Sequence, residues 1–342
     1  MRKKLTINRQ ISKITLGLFI ITTTILSSCD GTKKVNKIDM KSEESTKDEV
    51  WSNTTKGLKL IELNSEKTRQ TYTVGIWLPE SYETSKDKTY PVIYQLDGEG
   101  SLNTSIETVR GQSVSGDLEE VIIVGVYNYG AKSRWFDFTP TKADKFTQTL
   151  EVTARDFPTG GSEQFYAFIV SELMPKINTE YRTDNKKNVL YGHSLGGLFC
   201  LSTLQKESSP FTHYLISSPS IWWNDREIFE NPLPKRAFEP VVYLTVGEME
   251  QIPTNLPAEI IKLFPKEVII NDGNARMTEG ITDAYDYLKA QKNVEVYAHI
   301  EEGEVHMSSN IPSFSRGIRT LLNGNNRDEL RRRSSERPTL PW

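Results

Sequence analysis

An apolar triplet, a glycine-flanked serine and a second apolar run follow one another in Asn188-Val189-Leu190-Tyr191-Gly192-His193-Ser194-Leu195-Gly196-Gly197-Leu198-Phe199-Cys200-Leu201. Val189 to Tyr191 suit a short buried strand, and Leu198 to Leu201 suit the start of a helix. Between them lies G-x-S-x-G, a pattern short enough to recur by chance. Its setting gives it meaning, because strand, tight turn and helix together project a serine hydroxyl above the end of a sheet. Glycine is required there because the turn is strained and the neighbouring chain passes close. Ser194 is therefore the candidate nucleophile. The N–H of Leu195, at the helix start, is the candidate donor to a developing oxyanion.

The flanking sequence alternates strands with helices. Leu58–Leu63, Thr71–Leu78 and Tyr90–Leu96 read as strands, the last ending in an Asp97-Gly98 turn. Glu120–Tyr127 is a continuous apolar run, as expected of a strand buried on both faces. Phe165, Phe168, Ile169, Leu173, Ile177 and Tyr181 recur at helical spacing and predict a helix over 162–181. Tyr214–Ser217, Val241–Val246 and Val294–Ile300 are further strands, with helices over 282–288 and 311–322. Such alternation implies an α/β fold, a mostly parallel central sheet with helices on both faces.

A serine hydroxyl needs a base, and the chain has four histidines. His193 sits inside the turn and points away from Ser194. His213 opens a strand, and His299 lies within one. His306 lies in the loop after the last strand, in Glu302-Gly303-Glu304-Val305-His306. Around such a serine turn the chain order is serine, acid, histidine, with the histidine past the final strand. His306 is the candidate base, and the other three are read as structural. The acid, which accepts the imidazole N–H, should follow a strand between the two. The strand 241–246 runs into Gly247-Glu248-Met249-Glu250. Glu250 is the first choice and Glu248 the second, with Asp225 and Asp272 further alternatives.

The 342 residues are 37% hydrophobic and 25% charged, which excludes a disordered or fibrous chain. Net charge is −3, and the first 28 residues are basic, so the rest is more acidic than the whole. An acidic body argues against nucleic-acid binding, which needs a basic face. Two cysteines, Cys29 and Cys200, provide no disulfide framework. Cys200 reads as a buried small hydrophobe on the helix after Ser194. No CxxC or HExxH motif points to a metal, and no glycine-rich phosphate loop opens a helix, so no cofactor is expected.

Residues 1–29 have the shape of a secretory signal: Arg2, Lys3, Lys4, Arg9 and Lys13, then an apolar stretch from Ile14 to Leu26. The stretch ends in Leu26-Ser27-Ser28-Cys29, which resembles a bacterial lipobox, with Cys29 the lipidated residue of a mature lipoprotein. A polar tract over 30–55 reads as a tether. The expectation is a folded domain over 56–323, held outside the cytoplasm on a bacterial membrane. A basic tail over 324–342, containing Arg331-Arg332-Arg333, follows it.

Several further segments resemble the Putative esterase family of α/β-hydrolases. Tyr90-Pro91-Val92-Ile93-Tyr94-Gln95-Leu96-Asp97-Gly98 is similar to its strand-and-turn segment. Arg134-Trp135-Phe136-Asp137-Phe138-Thr139-Pro140 is similar to its R-x-x-D-[FY]-T-P segment, and 165–181 to its long helix. Ser218-Pro219-Ser220-Ile221-Trp222-Trp223, Val246 to Glu250 and Gly303-Glu304-Val305-His306 resemble the siderophore-esterase branch. The resemblance spans about residues 66–323; the lipid anchor and tether fall outside it. It implies an α/β-hydrolase fold and ester hydrolysis through an acyl-serine, by a monomer on a small-molecule or saccharide ester. Some relatives manage with a serine–histidine pair. It further implies a second oxyanion donor in the backbone N–H of Glu99. Arg134 would lie at the pocket, holding an anionic or catecholate-like group, or would pair with Asp137. Trp222 and Trp223 would form pocket wall or core. A siderophore-type lactone, an acetyl or feruloyl ester of a carbohydrate, and a non-catalytic binding lipoprotein on the same fold are the readings carried forward.

Overall fold

A computed structural model describes residues 55–128, 130–143, 157–251 and 276–322. The signal segment with Cys29, most of the tether, Asp272 and the tail 324–342 lie outside these residues.

Eight strands form one sheet: β1 Leu58–Asn64, β2 Thr71–Trp77, β3 Tyr90–Gln95, β4 Ile122–Tyr127, β5 Thr183–His193, β6 His213–Ser217, β7 Val241–Gly247 and β8 Glu295–Glu301. Their order is β1-β2-β4-β3-β5-β6-β7-β8. β2 is antiparallel to both its neighbours, and every pairing from β4 to β8 is parallel. In such a sheet, sites form at the carboxyl ends of the parallel strands. Both Ser194 and the Gly247-Glu248-Met249-Glu250 turn emerge at that end.

Period-two side-chain alternation divides the apolar residues between the two faces. Leu190, Tyr214, Ile216, Val242 and Leu244 join one core, with Phe165 and Phe168 of α3 (Ser162–Phe168), Ile177 of α4 (Met174–Glu180), Phe199 of α5 (Leu195–Leu204) and Ile281 of α6 (Met277–Lys289). Val189, Tyr191, Leu215 and Tyr243 join the other, with Leu102, Ile106 and Val109 of α1 (Gly98–Val114) and Phe314, Ile318 and Leu321 of α7 (Asn310–Leu322). Cys200 is fully buried in the first core.

Two local expectations change, and one helix is added. The Asp97-Gly98 turn is instead the start of the 17-residue helix α1. Its glycines at 98, 100 and 111 hid a short apolar stripe of Leu102, Ile106 and Val109. A second helix, α2 (Gly130–Phe138), precedes the Thr139-Pro140 segment. The helix expected over 162–181 is two α segments joined by a π turn, Ile169–Leu173. Pro175, at the head of α4, has no N–H and its ring crowds the carbonyl four residues back, which the widened turn relieves.

Candidate active site

Ser194 caps α5 in a left-handed conformation, φ +61° and ψ −121°. Non-glycine residues seldom adopt this geometry, which costs roughly 1–3 kcal/mol and must be held by its surroundings. Its N–H donates to the Ser217 carbonyl on β6 at 3.0 Å. Close backbone approach explains the flanking glycines. A Cβ on Gly192 would lie 2.3 Å from the Gly196 carbonyl oxygen, and one on Gly197 would lie 2.9 Å from Pro219. Leu195 begins α5, so its N–H has no partner within the helix and stands next to the serine.

His306 bridges the serine and an acid. Its Nε2 is 3.0 Å from Ser194 Oγ, and its Nδ1 is 2.8 Å from Glu250 Oε2. Of the two glutamates, Glu250 therefore meets the imidazole. Glu248 instead accepts the Gly303 N–H at 2.8 Å, securing the loop that carries His306. The two diverge because residues 248–251 form a 3-10 turn rather than an extended strand. Asp225 lies in a run of left-handed residues, Asn224 to Arg226, on another turn. The acid turn and the histidine loop are sewn together. Met249 N–H donates to the Glu304 carbonyl at 2.9 Å, and a Cβ on Gly247 would sit 2.4 Å from that oxygen.

The Glu250 side chain is 1% exposed. Burial alone would raise its carboxyl. The hydrogen bond and charge of His306, the Ser218 hydroxyl and the Gly247 N–H outweigh that, and hold it below the usual glutamate value. The site thus keeps an ionised carboxylate behind the imidazole.

Of the other histidines, His213 is 2.8 Å from Thr212 Oγ1, and His299 sits 3.8 Å from Glu301. His193 is closer to the chemistry than its sequence position suggests. Its ring centroid is 4.7 Å from that of His306, and its Nδ1 is 3.0 Å from Ser217 Oγ. Burial, and after it the neighbouring His306, push His193 down to about 3, so it stays neutral.

Arg134 pairs with Asp97, not with Asp137. Its Nε is 2.8 Å from Asp97 Oδ1, and its Nη2 donates to the His193 carbonyl at 3.2 Å. The guanidinium therefore ties the end of β3 to the strand carrying Ser194, with its side chain 27% exposed. Asp97 is raised by burial against the pull of Arg134. Asp137 is fully buried elsewhere, accepting from Asn128 Nδ2 at 2.8 Å and from the Tyr72 hydroxyl at 3.2 Å. Glu99 is the second residue of α1, where N–H groups lack helical partners. Its carboxylate accepts the Asn128 N–H at 3.1 Å, next to its own N–H, the proposed oxyanion donor.

Trp223 is corrected from pocket wall to core: it is 0% exposed, and its Nε1 donates to Thr141 Oγ1 at 3.1 Å. An indole of this size gains most by full burial once its N–H is satisfied. Trp222 is half-buried and packs 6.1 Å from Trp223. Among the described residues, no group of His, Cys, Asp and Glu is placed to hold a metal.

The arrangement has a hydroxyl, a base aligned on it, and a buried anion behind the base. That set can generate a serine nucleophile for acyl transfer. Comparison with known proteins points the same way. The Putative esterase family matches residues 65–297. The chain is 30% identical over 283 residues to ferri-bacillibactin esterase BesA of Bacillus subtilis, covering 78% of this chain and 90% of that one. It is 28% identical over 278 residues to the siderophore enterobactin esterase of Emericella nidulans, covering 74% and 89%. Among solved structures, the BES protein from Bacillus cereus superposes with a TM-score of 0.62 at 30% identity, over 79% of this chain and 96% of that one. Siderophore hydrolase EstA from Aspergillus nidulans gives 0.67 at 25%, over 79% and 95%. With its parallel sheet and serine turn, the chain belongs to the Putative esterase family of α/β-hydrolases, enzymes that act on ester bonds.

Proposed function

We propose that this protein is a serine esterase that opens the ester bonds of a siderophore-type lactone through an acyl-serine. The observation that carries the reading is His306 held between Ser194 and Glu250 at 3.0 and 2.8 Å. Ser194 Oγ attacks the ester carbonyl while His306 Nε2 takes its proton. The carbonyl oxygen becomes an oxyanion beside the N–H groups of Leu195 and Glu99. The C–O bond to the alcohol breaks, and the imidazolium returns the proton to the departing oxygen. Water then repeats the sequence on the acyl-serine and releases the acid. Arg134 and Trp222 are the residues assigned to the substrate in this reading, because a part-exposed guanidinium and a half-buried indole suit an anionic, aromatic group. The named activities of the relatives support the substrate class.

Hydrolysis of a short p-nitrophenyl ester separates this reading from a non-catalytic binding protein. A panel of ferric siderophore lactones, acetylated sugars and feruloylated sugars then tests the substrate. The lactones should show the highest kcat/KM; preference for either sugar ester would move the enzyme to carbohydrate deacylation.

The enzyme acts as a lipid-anchored monomer outside the cytoplasm. Supporting this are the basic start, the apolar stretch to Leu26 and Cys29 directly after Leu26-Ser27-Ser28. Acyl chains anchor by about 0.8 kcal/mol per buried methylene, so losing them should free the acidic body. Cys29→Ser should therefore move the protein from the membrane pellet to the soluble fraction; a processed variant that still pellets would refute the anchor.

A further inference from the structure

Ser218 follows the last residue of β6 with φ +42°, and it is fully buried. This left-handed conformation is uncommon for serine and persists only where the surroundings hold it. Its N–H donates to the Thr245 carbonyl of β7 at 2.8 Å. Its hydroxyl donates to Glu250 Oε1 at 2.5 Å and lies 3.0 Å from Ser309 Oγ. Ser309 is also fully buried, 3.1 Å from the same carboxylate oxygen and 3.0 Å from the His306 carbonyl. Two residues further on, Ser220 places its N–H on the Ser194 carbonyl at 3.0 Å and its Oγ 3.4 Å from Ser194 Oγ. The Ser218-Pro219-Ser220 segment thus touches the acid at one end and the nucleophile at the other.

We propose that Ser218 is a positioning residue for ester hydrolysis: its hydroxyl, backed by Ser309, clamps Oε1 of Glu250 so that Oε2 stays on His306. The proposal rests on the serine-esterase reading. The terminal torsion of a glutamate is broad and only weakly restrained by its own chain. One carboxylate oxygen must therefore be fixed from outside if the other is to hold the imidazole. Gly247 N–H reaches Oε1 from one direction at 2.7 Å, and the two hydroxyls complete the clamp. Hydrogen bonds to a charged acceptor are the strong ones, and here both hydroxyls are dry. The strained backbone at Ser218 is the means by which a residue at a strand end delivers its hydroxyl to that oxygen.

Two substitutions isolate the hydroxyl. Ser218→Ala removes it and keeps the backbone penalty. Ser218→Gly removes it and relieves that penalty, so it should melt no lower than Ser218→Ala. On a short p-nitrophenyl ester, both should lower kcat about ten-fold, equivalent to about 1.4 kcal/mol. KM should stay within about two-fold. In a Glu250→Ala background, where no carboxylate remains to hold, Ser218→Gly should cost nothing further. Near-wild-type kcat in both single variants, or the same ten-fold loss in the Glu250→Ala background, would overturn the proposal. Ser194→Ala serves as the control: if it remains active, the serine-esterase reading itself falls, whatever Ser218 does.

Discussion

Replacing Glu250 by glutamine changes one atom, and the structure dictates where that atom must go. Glu250 Oε1 receives Gly247 N–H at 2.7 Å and the hydroxyls of Ser218 and Ser309 at 2.5 and 3.1 Å; Oε2 receives His306 Nδ1 at 2.8 Å. A glutamine has one carbonyl oxygen. Hydroxyls can turn to accept, but a main-chain N–H can only donate, so the carbonyl must stay on the Gly247 side. Facing the amide NH2 to Gly247 instead would bury two opposed donors, at about 1–3 kcal/mol for each group left unmade. The NH2 therefore faces His306 Nδ1, which must give up its proton to become an acceptor. The proton moves to Nε2, and every hydrogen bond is still made, but Nε2–H can no longer accept the proton of Ser194. The resting enzyme is trapped in the wrong tautomer. In a Ser-His-Asp protease the corresponding amide costs about 10⁴ in turnover. We expect a loss of about 10³–10⁴ in kcat for Glu250→Gln, or about 4–5 kcal/mol of barrier. KM should change little, because the defect concerns proton transfer rather than binding. Steady-state kinetics on p-nitrophenyl butyrate measure it, with circular dichroism to check the fold. A kcat within ten-fold of wild type in a folded variant would refute the tautomer argument and point to a serine–histidine pair.

Four further outcomes follow from neighbouring residues. Glu248→Gln should keep kcat within about three-fold, because the amide carbonyl can still accept the Gly303 N–H; a loss as large as that of Glu250→Gln would mean the two roles are reversed. Ser194→Ala should lower turnover by about 10⁴–10⁶ with the fold unchanged, and more than a few per cent of residual activity would disqualify the nucleophile. Gly192→Ala should fail to fold or lose the serine turn, since its Cβ would meet the Gly196 carbonyl oxygen at 2.3 Å; a soluble, active variant would contradict that packing. Asp137 offers a pH test. Burial pushes it from 3.8 up to about 7 against the hydrogen bonds from Asn128, Tyr72 and Gln70. The folded state therefore keeps a proton that the unfolded chain releases. Stability should fall as pH rises between about 4 and 7, by about 4 kcal/mol in all. Asp137→Asn should flatten the dependence of the melting midpoint between pH 5 and 8, and an unaltered slope would reject that origin.

The sheet and the serine turn were legible because their signals are local. Val189, Leu190 and Tyr191 mark a strand, and the glycines beside Ser194 mark a turn where no Cβ fits. His306 was legible by elimination among four histidines and by chain order. The choice of Glu250 over Glu248 was less so, because it depends on a 3-10 turn that no periodicity announces. Helix α1 was hidden by its glycines. Arg134 was placed at the site, but its partner was not: Asp97 and Asp137 are both acidic neighbours in motif segments, and only the parallel pairing of β3 with β5, which sets Asp97 beside the His193 carbonyl, brings Asp97 to it. The adjacency of His193 and His306 joins residues 113 positions apart, and the grip of Ser218 and Ser309 on Glu250 joins residues 32 and 59 positions apart. Such contacts belong to the packed molecule and leave no spacing in the chain. Trp223 shows the same limit from the other side, since two adjacent tryptophans look alike in sequence and only one is fully buried.

Covalent trapping of the nucleophile tests the acyl-serine mechanism most directly. After exposure to a fluorophosphonate, intact-protein mass spectrometry should show a single adduct that peptide mapping places on Ser194, with ester hydrolysis lost in proportion. The label should be absent from Ser194→Ala and greatly slowed in His306→Ala, since the imidazole Nε2 lies 3.0 Å from the serine oxygen it activates. An adduct on another residue, or full hydrolytic activity in protein labelled to completion at Ser194, would contradict it.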